Sequence, residues 1–143
     1  MGTLYDNDFY GWTQEQADLL RSGHLSELDT QNLLEEIEAM GRSERRELES
    51  RLRVLFMHLL KWQYQSGRQS RSWKLTVEEQ RLQVAELLAE NPSLRNRLPG
   101  LTESAWRLAI IAAERETNIQ RSVFPAACPW TFEQVMDPEF WPE

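Results

Sequence analysis

One apolar seam constrains the fold of this chain more than any other feature of its sequence. Its members follow one another at steps of four, three, four and three: Leu48, Leu52, Leu55, Leu59 and Trp62. That spacing places them along one side of an α-helix, so a second helix must pack along the seam. A similar stripe stands upstream at Leu33, Ile37 and Met40, and Gly41 separates the two stripes.

The rest of the chain is also typical of helices. No window alternates apolar and polar positions with β-branched residues on one face, as a strand would. The 143 residues are rich in Leu, Glu, Arg and Gln, and 41% are hydrophobic, enough for a core. We therefore predict an all-α fold with a single domain over residues 1–143. It is a bundle of about five helices around a long central helical hairpin, with a Pro- and aromatic-rich C-terminal tail packed on it.

Capping residues predict where the helices begin and end. The first helix begins after Asp6 or Asp8 and runs to about Ser22, where Gly23 ends it. Asp29 caps the second helix. If this helix ran as one straight rod from Asp29 to Gln65, it would be about 55 Å long at ~1.5 Å per residue. Because that length exceeds the width of a small globule, we expect a bend near Gly41.

Three further helices are predicted in the second half of the chain. One begins near Ser72 or at a capping box from Thr76 and ends at Glu90. A short helix opens at Pro92 and is stopped by the Pro-Gly pair at residues 99–100, and a fifth helix covers residues 102–117.

Membrane-spanning and disulfide-stabilised proteins do not fit this sequence. The longest uninterrupted apolar run is six residues, Leu108 to Ala113, whereas a spanning helix needs ~20. The N-terminal residues have neither a basic stretch nor an apolar one, as a secretory signal would. The one cysteine, Cys128, forms no internal disulfide and is expected to be a buried thiol. We expect a cytoplasmic protein that has no membrane partner.

Charge is distributed unevenly along the chain. Residues 1–40 carry nine acidic side chains and one basic side chain. Residues 41–75 carry three acidic and nine basic side chains, and residues 76–143 carry eleven acidic and six basic side chains. The interpretation we favour is internal neutralisation, with the acidic first third beside the basic centre. The alternative is a site for a phosphate-bearing ligand, because cations alternate with aromatic rings in one segment. Its residues are Lys61, Tyr64, Arg68, Arg71, Trp73, Lys74 and Arg81.

A second candidate site is polar. It combines Asn32, the carboxylates Glu35, Glu38 and Glu44, and His58. Glu35 and Glu38 share one helical face, but no Glu-x-x-His pair accompanies them, so we predict no metal site and no cofactor. Glu44 falls on the apolar seam and is expected to be buried with a partner. His58 is expected to be a partly buried, hydrogen-bonded side chain rather than a base.

Several motifs resemble those of one protein family. They are Tyr5-x-x-Asp8-Phe9-Tyr10-x-Trp12, the stretch from Leu28 to Glu44 that contains Glu35-Glu36-Ile37-Glu38, His58-Leu59-Leu60-Lys61-Trp62-Gln63-Tyr64, Ser72-Trp73, Pro92-Ser93-Leu94, and Phe124-Pro125-x-x-Cys128-Pro129. Together they resemble a bacterial family known as domain of unknown function 29. The resemblance implies a cytoplasmic, all-helical domain that often stands alone. It implies no activity and no site residues.

Three functions of different classes follow from these observations. The first is an interaction or regulatory module that binds a protein partner, or a second copy of itself, through a helical face. The second is a nucleic-acid or nucleotide binder that uses the basic segment between residues 61 and 81. The third is a metal-dependent hydrolase or nuclease built on the carboxylates between Glu35 and Glu44. We rank them in that order and lean against an enzyme.

Overall fold

The structure is a computed structural model that describes residues 3–143. Those residues form helices, turns and loops and include no strand, which confirms the all-α prediction. Met1 and Gly2, which begin the N-terminal segment used above to predict the compartment, lie outside the described residues. The chain divides into two compact units, one ending at Ser43 (unit 1) and one from Glu44 to Glu143 (unit 2). The single domain over residues 1–143 therefore stays a prediction.

Six α-helices are present in residues 3–143, and two of them are short. They are α1 (Leu4–Asn7), α2 (Phe9–Arg21), α3 (Thr30–Tyr64), α4 (Arg71–Glu90), α5 (Leu98–Thr117) and α6 (Phe132–Met136). Short 3-10 turns occupy Leu25–Glu27, Ser66–Arg68, Pro92–Arg97 and Arg121–Val123. No helix in this part of the chain has both the length and the apolar character needed to cross a bilayer.

The helix ends of unit 1 follow the predicted caps. Asp8 precedes α2, and its carboxylate accepts a hydrogen bond from the Gly11 amide at 3.0 Å. Gly23 has a φ of +78°, the left-handed conformation that glycine adopts without strain after a helix. Asp29 caps α3 by accepting a hydrogen bond from the Asn32 amide. These three predictions are confirmed.

Helix α3 continues through Gly41 as one helix of 35 residues, so it is not broken there, and the expected bend stays a prediction. A single glycine costs only ~1 kcal/mol in a helix interior, and the residues on both sides of Gly41 are good helix formers. The predicted bend assumes that the whole helix must fit within a small globule. The upstream half of α3 is not enclosed in a core, since Leu34, Ile37 and Met40 are all exposed.

The core of unit 2 is built on the predicted seam. Leu48, Leu52, Leu55 and Leu59 are completely buried, as the heptad spacing indicated. The packing residues opposite come from α4 and α5 and include Val77, Val84, Ala105, Trp106 and Ala109. Trp62, the last member of the seam, is only half-buried and packs against Trp141, 4.5 Å between ring centroids.

The aromatic tail packs on this core, as predicted. Phe124 is buried against Tyr64, and Trp130 meets Trp106 edge-to-face at 5.5 Å. The Trp106 indole also donates a hydrogen bond to the Pro125 carbonyl at 2.9 Å. The tail is therefore a structural part of unit 2.

In the second half of the chain, one predicted helix start is confirmed and two boundaries differ. Helix α4 begins at Arg71, capped by Ser70, which agrees with the predicted start near Ser72, whereas the alternative capping box is wrong because Thr76 lies inside the helix. The segment after Pro92 is a 3-10 turn. The Pro-Gly pair at residues 99–100 opens α5 rather than ending a helix, because proline is tolerated in a first helical turn.

Candidate interaction surfaces

Asp29 is the centre of a hydrogen-bond network in unit 1. Its carboxylate accepts from the Trp12 indole at 3.0 Å and from the Asn32 side chain at 2.7 Å. Its backbone amide donates to the Gln16 side chain at 2.8 Å. The bonds from Asn32 and Trp12 stabilise the ionised carboxylate and lower the pKa of Asp29. Asn32, predicted as part of a polar site, therefore helps to anchor α2 to the start of α3.

An aromatic cluster stands beside this network. Tyr5 contacts the Trp12 ring edge-on at 4.7 Å, and Phe9 stacks on the same ring at 5.6 Å. The Tyr5 hydroxyl donates to the Glu36 carboxylate, and that bond, the largest cause, raises the pKa of Tyr5 to about 12. Contacts among these aromatic rings were not predicted from the sequence. Tyr5, Phe9 and Trp12 do belong to the motif that carries the family resemblance.

A row of apolar side chains on α3 remains uncovered in unit 1. Leu34, Ile37 and Met40 are 57%, 59% and 61% exposed. Steps of three and four residues continue upstream from the buried Leu48 through Glu44 and Gly41 to Ile37 and Leu34. The helical stripe that is buried in unit 2 is thus solvent-exposed in unit 1.

Acidic side chains flank that stripe. Glu35 and Glu38 line a shallow cavity of about 320 Å³ on α3 together with Gln31, Leu34 and Arg42. The structure brings these two predicted carboxylates together, but next to an apolar residue and an arginine. Within residues 3–143, no three His, Cys, Asp or Glu side chains are grouped as a metal ion would require.

Glu44 and His58 belong to unit 2. Glu44 is exposed, so the expected buried pair is wrong. The reason is that the part of the stripe on which it lies is not covered. His58 is half-buried, with its Nδ1 2.9 Å from the Val54 carbonyl oxygen, as expected of a hydrogen-bonded histidine. Burial lowers the pKa of His58, and the nearby Lys61 charge lowers it further.

Four of the predicted ligand-binding residues have structural contacts inside unit 2, namely Lys61, Tyr64, Trp73 and Arg81. Lys61 is buried, with its Nζ 4.6 Å from the centroid of the Trp73 ring and 3.8 Å from a Glu116 oxygen. Tyr64 meets Phe124 edge-to-face at 5.0 Å. These contacts hold the end of α3 to α4, α5 and the tail.

Arg81 is the fourth of these residues, and its side chain makes the most contacts. Its guanidinium donates to the Val135 and Phe140 carbonyls at 2.7 Å each and to the Pro138 carbonyl at 3.5 Å. It also lies 5.2 Å from the Trp141 ring centroid. Burial lowers the pKa of Arg81. The side chain fastens the tail to α4 and is not available to an external ligand.

The remaining basic side chains are accessible. Arg68, Arg71 and Lys74 are exposed, and none forms an ion pair among residues 3–143. Arg71 and Lys74 line an open cavity of about 590 Å³, which also contains Trp62 and Glu78. The structure therefore separates the predicted segment into a buried part and an accessible groove. The groove is lined by Trp62, Gln69, Ser70, Arg71, Lys74, Leu75 and Glu78.

Cys128 is half-buried in the tail of unit 2. Its Sγ lies 3.4 Å from the Trp130 carbonyl oxygen, to which the thiol donates. Burial raises the pKa of Cys128, which keeps the sulfur in the thiol form. The side chain packs against the core but is partly rather than completely buried, so the predicted burial of the thiol is confirmed only in part.

Comparison with known proteins gives one match. The family model described as domain of unknown function DUF29 matches residues 4–141, nearly the whole chain. No curated protein and no solved structure matches the chain. The match confirms the resemblance carried by the motifs between Tyr5 and Pro129.

Proposed function

Because the chain belongs to the family described as domain of unknown function DUF29, which specifies no activity, we propose a function from its surfaces. Unit 1 is a docking module that binds an amphipathic helix of a partner protein. The binding surface is the exposed stripe of α3 formed by Leu34, Ile37, Met40 and Gly41.

The observation that carries this proposal is the contrast along one helical stripe. Its downstream members, such as Leu48 and Leu52, are completely buried by neighbouring helices, whereas Leu34 and Ile37 are more than half exposed. Burial of apolar surface is worth ~25 cal/mol per Å², so an uncovered stripe retains free energy that a partner helix can use. A methyl group added at Gly41 would meet nothing within 4 Å, which leaves room for close approach of a partner backbone.

Charge indicates the kind of partner. Residues 3–43 carry nine acidic and two basic side chains, and Glu35 and Glu38 flank the stripe. A second copy would place like charges face to face across the same surface, which opposes association. A helix with an apolar face bordered by Lys or Arg complements both the apolar stripe and its acidic border.

We also infer that this module acts in the cytoplasm. A single cysteine supports that location, because proteins of oxidising compartments more commonly contain paired cysteines. This inference is independent of the identity of the partner.

Selection from a display library of amphipathic helical peptides tests the proposal. The peptides keep one apolar face, and the flanking positions are randomised among acidic, basic and neutral residues. Selection on the full chain should enrich peptides with Lys or Arg at the flanks. The double substitution Leu34→Gln and Ile37→Gln should weaken their binding by at least about tenfold, since each lost apolar contact is worth ~1.5–3 kcal/mol when fully buried.

Matched variants distinguish this surface from nonspecific apolar binding. Leu82→Gln with Leu108→Gln removes two exposed apolar side chains from unit 2 and should leave the affinity unchanged. Glu35→Gln with Glu38→Gln should reduce the affinity and its dependence on salt. The proposal is overturned if no peptide is enriched, if acidic flanks are enriched, or if the two apolar variants lose affinity equally. Sedimentation over a wide concentration range tests the second copy as the occupant, and a dimer abolished by the Leu34 and Ile37 substitutions would also overturn the proposal.

A further inference from the structure

The accessible groove of unit 2 has a size and a composition suited to a small ligand. Its volume of about 590 Å³ falls within the ~300–1,000 Å³ typical of ligand sites. Its walls come from the end of α3, the loop that follows and the first turns of α4. This site is independent of the proposed docking stripe, which belongs to unit 1.

Two cations in this groove have no ion-pair partner, although the carboxylate of Glu78 lines the same groove. Arg71 and Lys74 are exposed, lie three residues apart on α4 and form no ion pair among residues 3–143. Both occupy the first turn of α4, where the positive end of the helix dipole opposes a positive side chain, and no acidic residue is present in that turn. The arrangement therefore costs helix stability, and an anion bound between the two side chains would offset that cost.

An aromatic ring faces the same groove. Trp62 lines it, and the ring is supported from within unit 2 by Trp141 at 4.5 Å between centroids. Trp141 in turn lies against the guanidinium of Arg81, which holds the tail by three carbonyls. The indole is thus held in place at the edge of the groove, and stacking on aromatic side chains is a common way for proteins to bind nucleobases.

We propose that this groove binds a nucleotide-type ligand, with phosphate oxygens on Arg71 and Lys74 and the base against Trp62. Glu78, which also lines the groove, lies one helical turn beyond Lys74. Its carboxylate repels a second phosphate at that end and accepts hydrogen bonds from hydroxyl or amino groups of the ligand. The same chemistry is presented by a free nucleotide and by a short stretch of single-stranded nucleic acid.

Titration calorimetry of the full chain with three probes tests this assignment. The probes are adenosine triphosphate, inorganic tripolyphosphate and a single-stranded oligothymidylate, each at low and at raised salt. Adenosine triphosphate should bind at low salt, more tightly than tripolyphosphate, and its affinity should fall as salt is raised. Oligothymidylate binding more tightly than adenosine triphosphate identifies a strand as the ligand, whereas weaker binding identifies a free nucleotide.

Two variants locate the site. Arg71→Ala with Lys74→Ala should weaken binding by at least about tenfold, because both phosphate contacts are lost. Arg95→Ala with Arg97→Ala, which removes two exposed cations elsewhere in unit 2, should leave the affinity unchanged. The indole N–H resonance of Trp62, followed by NMR, should shift on titration with adenosine triphosphate.

Several results would overturn the assignment. If none of the three probes binds at low salt, the groove is not a nucleotide-binding site. Equal losses in the two double variants show nonspecific attraction to positive charge. Equal affinity for tripolyphosphate and adenosine triphosphate, with no shift of the Trp62 resonance, rejects the stacked base. None of these results bears on the peptide selection that tests unit 1.

Discussion

Helix α3 has two halves that share one sequence pattern and differ in their surroundings. From Leu48 onward, its apolar stripe is buried by α4, α5 and the tail. Upstream, the same stripe at Leu34 and Ile37 is exposed, and between Thr3 and Ser43 only the side chains of Trp12 and Gln16 are buried. The comparison shows that an amphipathic pattern identifies an apolar helix face. It does not show whether another helix of the same chain covers that face.

The two units also differ in how they hold their helices. Unit 2 relies on a buried hydrophobic core and on two buried cations. Lys61 packs against Trp73 of α4, and Arg81 donates to a carbonyl of the tail. Unit 1 relies on an aromatic cluster and on hydrogen bonds to Asp29. A hydrogen-bonded assembly of this kind can keep its shape while leaving apolar surface available for binding.

The largest expected difference between the two halves of α3 is in the effect of truncating the stripe. Leu52→Ala should lower the free energy of unfolding by about 2–5 kcal/mol, because it leaves a cavity in a completely buried site. Ile37→Ala should change it by no more than about 0.5 kcal/mol, because the side chain is exposed. Urea denaturation of both variants measures the contrast. Similar losses in the two would show that the upstream stripe is covered in solution.

A smaller loss is expected when the tail is released from α4. Arg81→Met should cost about 2–3 kcal/mol, since hydrogen bonds from a charged group to the Val135 and Phe140 carbonyls disappear. Amide hydrogen exchange should become faster between residues 132 and 141. Arg107→Met, at an exposed position of α5, is the control and should leave both measurements unchanged. Unaltered exchange in the Arg81 variant would mean that the aromatic contacts alone hold the tail.

The smallest effect is a gain at the point where the two halves of α3 meet. Gly41→Ala should stabilise the helix by about 0.5–1 kcal/mol, because alanine is the better helix former and its methyl group has open space. Hydrogen exchange around residue 41 should slow. Gly23→Ala should have the opposite sign, since its φ of +78° strains any side chain. A loss of stability in the Gly41 variant would indicate that this glycine is not helical in solution.

Much of the fold could be predicted because its determinants are local. The caps at Asp8 and Asp29, the turn at Gly23 and the seam from Leu48 to Leu59 all act within a few residues of sequence. The capping box at Thr76 and the helix end at residues 99–100 are wrong, because a Thr residue also fits inside a helix and a Pro residue also fits in its first turn. In the structure, α4 begins at Arg71 and α5 begins at Leu98.

The candidate surfaces were less predictable, because they depend on contacts between distant segments. Nothing near Arg81 in the sequence indicates that its guanidinium binds carbonyls more than fifty residues away. The sequence shows a segment rich in basic residues, but only the structure separates the buried Lys61 and Arg81 from the accessible Arg71 and Lys74. Trp62, which lines the groove, is the last member of the predicted seam, and its spacing gives no sign that complete burial ends before it.

The continuity of α3 has a consequence for anyone who wishes to produce unit 2 alone. The boundary after Ser43 lies in the middle of a helix, so a fragment beginning at Glu44 would start with unpaired backbone amides and no cap. Residue 29 is the natural starting point, because Asp29 brings its own cap to the helix. A fragment of residues 29–143 would contain all of α3 and would therefore carry the exposed docking stripe together with unit 2.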